Sequence, residues 1–156
     1  MKFLTLEQAL IIAAEVTGLS VETVARSARL DLLDSALATP EASFGGQEFY
    51  QGFEAKAAVL CVRIAKNHPL LDGNKRLAWM CLRMFCELNN YTLTSTDDDA
   101  VAFMLEVAAG AMGVDEATQW LRARLSERGA GEQQERPRSF DRGLSTTPKG
   151  GRLREP

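Results

Sequence analysis

The sequence predicts an all-α protein, and three observations carry that prediction. Apolar residues recur at helical spacing in successive stretches from Leu6 onward. The stretches are bounded by residues that cap or break helices. One of them, over 77–88, is apolar nearly all round, which marks a central helix buried among the others.

Taken in order, Thr5-Leu6-Glu7-Gln8 fits a capping box, with Thr5 as N-cap and Gln8 reaching back. The helix it opens should run to about Val16, with Gly18 ending it and Leu6, Leu10, Ala13 and Ala14 on its inner face. A short helix is expected over 21–25, and a third over 30–38, amphipathic through Leu30, Leu33, Ala36 and Leu37 and stopped by Pro40. Ser43-Phe44-Gly45-Gly46 breaks the pattern and suits a tight turn or small hairpin flap. A long helix is then read over 47–66, with Phe49, Phe53, Ala57, Leu60, Cys61 and Ile64 on one face. After the central helix, Thr96 caps a helix to about Ala109; Asp97, Asp98 and Asp99 in its first turn read as favouring the dipole rather than as a metal site. Asp115 is expected to cap a final helix carrying Trp120, Leu121 and Leu125.

At 156 residues the chain suits one domain, placed at 1–128, and the segment 129–156 reads as a disordered polar tail punctuated by Gly and Pro. The domain carries 12 Lys and Arg against 17 Asp and Glu, the tail 6 against 4. An acidic body argues against direct nucleic-acid binding, which needs clustered cations. No segment approaches the ~18 apolar residues of a membrane span, and the N-terminus lacks the pattern of a signal peptide, so the expected address is the cytoplasm. Cys61, Cys81 and Cys86 form an odd set without C-x-x-C spacing and read as small buried hydrophobes in a reducing compartment.

The chemistry gathers in His68-Pro69-Leu70-Leu71-Asp72-Gly73-Asn74-Lys75-Arg76, which contains the chain's single histidine. With Asn74 opening a helix, the free backbone N–H groups of its first turn face an anion, and Gly73 allows close approach. Asp72 suits Mg²⁺ that carries phosphate oxygens, because Mg²⁺ takes only one or two protein carboxylates. Asn74, Lys75 and Arg76 add donors and positive charge. His68, with histidine's ordinary pKa of about 6.5, suits a general base for a hydroxyl proton. These types together imply transfer of a phosphorus group from a Mg²⁺-bound nucleotide to a hydroxyl. The same residues admit a plainer reading: a structural His, an ordinary D-G-N turn and a solvated first helical turn.

The run resembles the Fic motif H-P-F-x-[D/E]-G-N-[G/K]-R, matching at seven of nine positions: His68, Pro69, Asp72, Gly73, Asn74, Lys75 and Arg76. Leu70 stands where the family has Phe, keeping the apolar role with less volume. The resemblance extends over 1–128 and implies a compact Fic/Doc-like helical bundle. By position it makes His68 the base, Asp72 the Mg²⁺ ligand, and Gly73, Asn74, Lys75 and Arg76 the nucleotide-phosphate site. Phe44, Gly45 and Gly46 look like the flap that receives the target's extended segment.

Two departures from AMP-transferring Fic enzymes bear on the reaction. Lys75 replaces their usual Gly, and Trp79 replaces a second Arg that holds the terminal phosphate of ATP. Both are similar to the Doc (death-on-curing) branch. That branch implies a toxin kinase in which ATP sits reversed and its γ-phosphate passes to a threonine of elongation factor Tu, arresting translation. The inhibitory [S/T]-x-x-x-E-[G/N] helix of some Fic proteins does not occur, which implies a separate, Phd-like antitoxin. Two alternatives stay open at this point: an AMP or other nucleotidyl transferase, and a non-catalytic partner-binding module.

Overall fold

The computed structural model describes residues 1–129, and the segment read as a polar tail lies outside them apart from Gly129. Among the described residues seven α-helices surround one core. They are α1 (Leu6–Thr17), α2 (Val21–Ser27), α3 (Leu30–Ala38), α4 (Phe53–Asn67), α5 (Asn74–Leu88), α6 (Asp97–Ala109) and α7 (Val114–Arg122). The all-α reading holds; the strands present, β1 (Ser43–Phe44) with β2 (Gln47–Glu48) and β3 (Tyr91–Leu93) with β4 (Leu125–Glu127), form two small antiparallel ribbons.

The first helix starts and stops as its sequence dictates. Gln8 N–H donates to Thr5 Oγ1 (3.1 Å), and Thr5 N–H donates to Gln8 Oε1 (2.9 Å). Gly18 closes the helix in the left-handed region at φ 77°. The buried face is Ala9, Leu10, Ile12, Ala13 and Val16, so Leu6 and Ala14 sit at its edge instead of its centre. After α3, Pro40 turns the chain into a single 3-10 turn, Thr39–Glu41, since proline cannot donate the next helical hydrogen bond.

Gly45 and Gly46 have φ of 60° and 80°, the left-handed pair that a two-residue hairpin turn requires, so the flap is a hairpin. The helix expected over 47–66 begins later, at Phe53. Gln47 and Glu48 are spent on β2, and Gly52 at φ 88° breaks the helix there. Phe49, which shared the helical spacing, is 61 % exposed.

The α4–loop–α5 hairpin is the spine of the core. Ala57, Ala58, Leu60, Cys61 and Ile64 of α4 meet Leu77, Ala78, Cys81, Leu82 and Phe85 of α5, all buried. At one end Phe53 stacks on Phe85 and Tyr91, with centroids 4.9 and 4.0 Å apart. Toward the other, Trp79 meets Phe103 and Trp120 edge-on while those two stack at 4.1 Å. The three cysteines are buried free thiols. Burial pushes Cys81 and Cys86 up to about 12, and Cys61 higher still with its neighbouring thiols adding to the effect.

Thr96 caps α6 by accepting from Asp99 N–H (3.1 Å), with the three aspartates in the first turn. The cap of α7 is Gly113, whose N–H donates to Glu116 Oε1 at 3.0 Å, so Asp115 lies inside the helix and is not its cap. Leu125 does not extend α7: the chain leaves the helix after Arg122, and Leu125 pairs with Leu93 in the ribbon. Among the described residues no single helix is long and apolar enough to cross a membrane.

Candidate active site

The segment 68–73 reverses the chain between α4 and α5, and both ends of it are left-handed. His68 closes α4 with φ 55° and ψ 55°, its N–H donating to Ile64 O (3.2 Å), while Gly73 precedes α5 with φ 96°. A Cβ at Gly73 would meet Thr17 Cγ2 at 3.6 Å, an ordinary contact, so it is the backbone conformation that calls for glycine there. Outside the loop, Arg29 N–H donates to Pro69 O (2.8 Å) and Asn67 Nδ2 to Leu32 O (2.9 Å), tying the turn to α3.

Within the loop, Leu70 N–H donates to Asn74 Oδ1 (2.8 Å) and Asn74 Nδ2 donates to Leu70 O (2.9 Å). Asn74 is 4 % exposed. Its amide is therefore turned into the loop as a clamp, and its direct offer to an anion is the backbone N–H. Leu70 is buried, consistent with the apolar role assigned to that position.

His68, Asp72, Gly73, Asn74, Lys75 and Arg76 line one cavity of about 690 Å³, together with Thr17, Leu19, Leu71 and Ala108 among others. His68, Asp72, Lys75 and Arg76 are all solvent-exposed. The first backbone bond of α5 runs from Leu77 N–H to Gly73 O (2.9 Å), which leaves the N–H groups of Asn74, Lys75 and Arg76 ahead of the helical ladder. Two cations in a first turn with no acidic residue oppose the helix dipole, the reverse of α6 with its three aspartates. An anion at that turn would offset both charges and meet the free N–H groups.

Asp72 has the chemistry to hold Mg²⁺ that arrives with phosphate oxygens. Among the described residues no cluster of three or more His, Cys, Asp or Glu is placed to hold a metal ion. Phe44, Gly45 and Gly46 are exposed at the hairpin and do not line this cavity. Phe44 is 79 % exposed.

A second cavity, about 790 Å³, opens on the other side of Lys75 and Arg76, between α5, β3 and α6. Sequence reasoning singled out Trp79 in its wall and missed the rest, because Thr94, Asp97, Val101 and Leu105 reach it only through the fold. It also missed Lys56, buried at 4 % exposure, whose Nζ donates to Pro40 O (3.2 Å) and Tyr50 O (2.5 Å) and pairs with Glu48 (3.3 Å). The signal was present: Lys56 stands at the apolar phase of α4, three residues after Phe53. Its ammonium ties together the two roots of the hairpin.

The family model described as "Fic/DOC family" matches residues 3–86. The chain belongs to the Fic/Doc family. Within it, the chain is similar to a protein named "Toxin Doc" from Mycolicibacterium smegmatis (strain ATCC 700084 / mc(2)155), at 42 % identity over 67 residues. That match covers 43 % of this chain and 52 % of the relative, so the chain spans about half the length of the curated Fic/Doc relative it matches. The family match encloses α1 to α5 up to Cys86, the flap and the whole motif loop.

Proposed function

We propose that this Fic/Doc protein is a Doc-type toxin kinase: it transfers the γ-phosphate of ATP to a threonine hydroxyl of a protein target, elongation factor Tu, arrests translation, and is held in check by a separate Phd-like antitoxin. The observation that carries the reading is the cationic first turn of α5, with Lys75 and Arg76 beside free backbone N–H groups, in one cavity with an exposed imidazole and an exposed carboxylate. The likeness to Toxin Doc supports the toxin part.

In this mechanism the α5 N-terminus, Lys75 and Arg76 hold the transferring phosphoryl group and offset the charge that builds on it. Asp72 would hold Mg²⁺, which when bound would supply charge neutralisation at the phosphate oxygens. His68 accepts the proton of the target hydroxyl. The hydroxyl oxygen bonds to the γ-phosphorus, the bond from that phosphorus to the bridging oxygen breaks, and the electron pair departs with ADP. Asn74 keeps the loop in the shape this requires by clamping Leu70.

ATP labelled separately at the α and γ positions tests the reading. The expected result is γ label alone on the target, lost in the His68→Asn variant. Label from the α position would assign AMP transfer instead, and growth arrest that survives His68→Asn would assign a binding role without catalysis.

A further inference from the structure

His68 occupies a backbone position that its residue type does not favour. At φ 55° and ψ 55° it is left-handed, a conformation that glycine and, less freely, asparagine adopt and that other residues keep only where their surroundings hold them. An asparagine stands one position earlier. Asn67 is nevertheless the last helical residue of α4 and leaves the left-handed site to the histidine. Its side chain is directed elsewhere: Asn67 is half-buried, and its Nδ2 donates to Leu32 O (2.9 Å), 35 residues away in sequence.

On the other side of His68, Pro69 O accepts from Arg29 N–H (2.8 Å). Both neighbours of the histidine are thus bonded to the opening of α3, over 29–32. That helix is seated in the core through Leu33, Ala36 and Leu37, all buried. Its N-cap, Arg29, makes no side-chain capping bond, so the loop and the start of α3 brace each other through these two bonds. The imidazole stands in the open while the backbone on either side of it is tied down. An exposed side chain of this kind is aimed chiefly by its backbone and its rotamer.

We propose that Asn67 is a positioning residue for His68. By fastening the last turn of α4 to α3, its amide holds the histidine in the left-handed conformation and so fixes where the imidazole presents its basic nitrogen in the cavity. The inference rests on the proposed phosphotransfer for the role of His68 as base; the fastening itself does not. A base must come within hydrogen-bond reach of the hydroxyl it deprotonates, and rate falls steeply when that geometry slips. The type of residue 67 follows from this: a short side chain with an N–H donor reaches a main-chain carbonyl of the neighbouring helix, whereas an aliphatic one could not.

The test is Asn67→Ala in the full chain. Leu32 lies within α3, so its carbonyl, with two lone pairs, keeps its place in the helical ladder when the side-chain donor is removed. The variant should therefore melt within about two degrees of the parent. His68 is the chain's single histidine, so the imidazole C–H signals in an NMR spectrum report on it alone. They should shift and broaden in the variant. In γ-label transfer, kcat should fall about tenfold while KM for Mg·ATP stays within about twofold. Imidazole signals identical to the parent's, or a loss shared by kcat, KM and melting temperature together, would each overturn the positioning role. A parent protein that transfers no γ label would sink the kinase reading instead, and the imidazole signals would still decide the fastening.

Discussion

Asn74 and Leu70 exchange two hydrogen bonds across the motif loop, 2.8 and 2.9 Å long, and both residues are buried. The arrangement makes Asn74 a structural clamp within the motif loop. Asn74→Ala leaves the Leu70 N–H and C=O without partners in a buried turn and should cost about 1–3 kcal/mol in urea unfolding. Transfer should fall with it, since the loop that carries His68 and Asp72 loses its brace. Unchanged stability in the variant would remove the clamp from the account.

His68, the proposed base, has a left-handed backbone at φ 55°, so an alanine there would confound the two roles. Asparagine tolerates that conformation far better. His68→Asn should therefore keep its melting temperature within a degree or two while transfer drops by about 10²-fold or more. Asp72→Ala, at an exposed position, should likewise melt as the parent does and lose Mg²⁺-dependent transfer. Normal turnover by either folded variant would take that residue out of the reaction.

The hairpin of β1 and β2 consists of exposed two-residue strands, too small to hold itself. Lys56 supplies the anchor. Lys56→Met, which keeps the buried stem and deletes the ammonium, should speed amide exchange over 43–50 severalfold and lower stability by about 1–3 kcal/mol. Exchange in α5 should be unaffected except through global unfolding. A hairpin equally protected in parent and variant would show that the ribbon does not depend on this side chain.

The three buried thiols make stability fall at high pH. Each has an ordinary value of 9.0, raised by burial to about 12 for Cys81 and Cys86 and beyond that for Cys61. Between the unfolded and folded values the native state keeps protons that the unfolded chain has lost. Their contribution is thus intact below pH 9 and lost as pH rises through that window, at about 1.4 kcal/mol per pH unit for each thiol. Urea unfolding at pH 8 to 10.5 should show the decline, with a shallower slope in Cys81→Ala. The native thiols should also resist a thiol reagent until the chain unfolds.

The sequence was most readable where structure is local. Thr5 and Gln8, Thr96 and Asp99, and Gly45 with Gly46 act over a few residues, and each appears where its chemistry places it. The motif shares that advantage, because all its groups lie between residues 68 and 76 on one turn. Legibility failed where a distant partner decides. Leu125 continues the spacing of α7, yet Leu93 draws it into a ribbon more than 30 residues away in sequence. Phe49 fits the period of α4, yet the hairpin takes its neighbours. The amide of Asn74 was readable as a donor but not in its direction, since only the folded loop turns it toward Leu70. The wall of the second cavity, drawn from α5, β3 and α6, has no contiguous signature at all.

Lys75 and Arg76 stand in the partition between two cavities. Their positive potential is therefore a shared resource, felt from both spaces at once. An anion that settled on either side would partly cancel the field seen from the other, to the extent that water and salt around two exposed side chains leave that field unscreened.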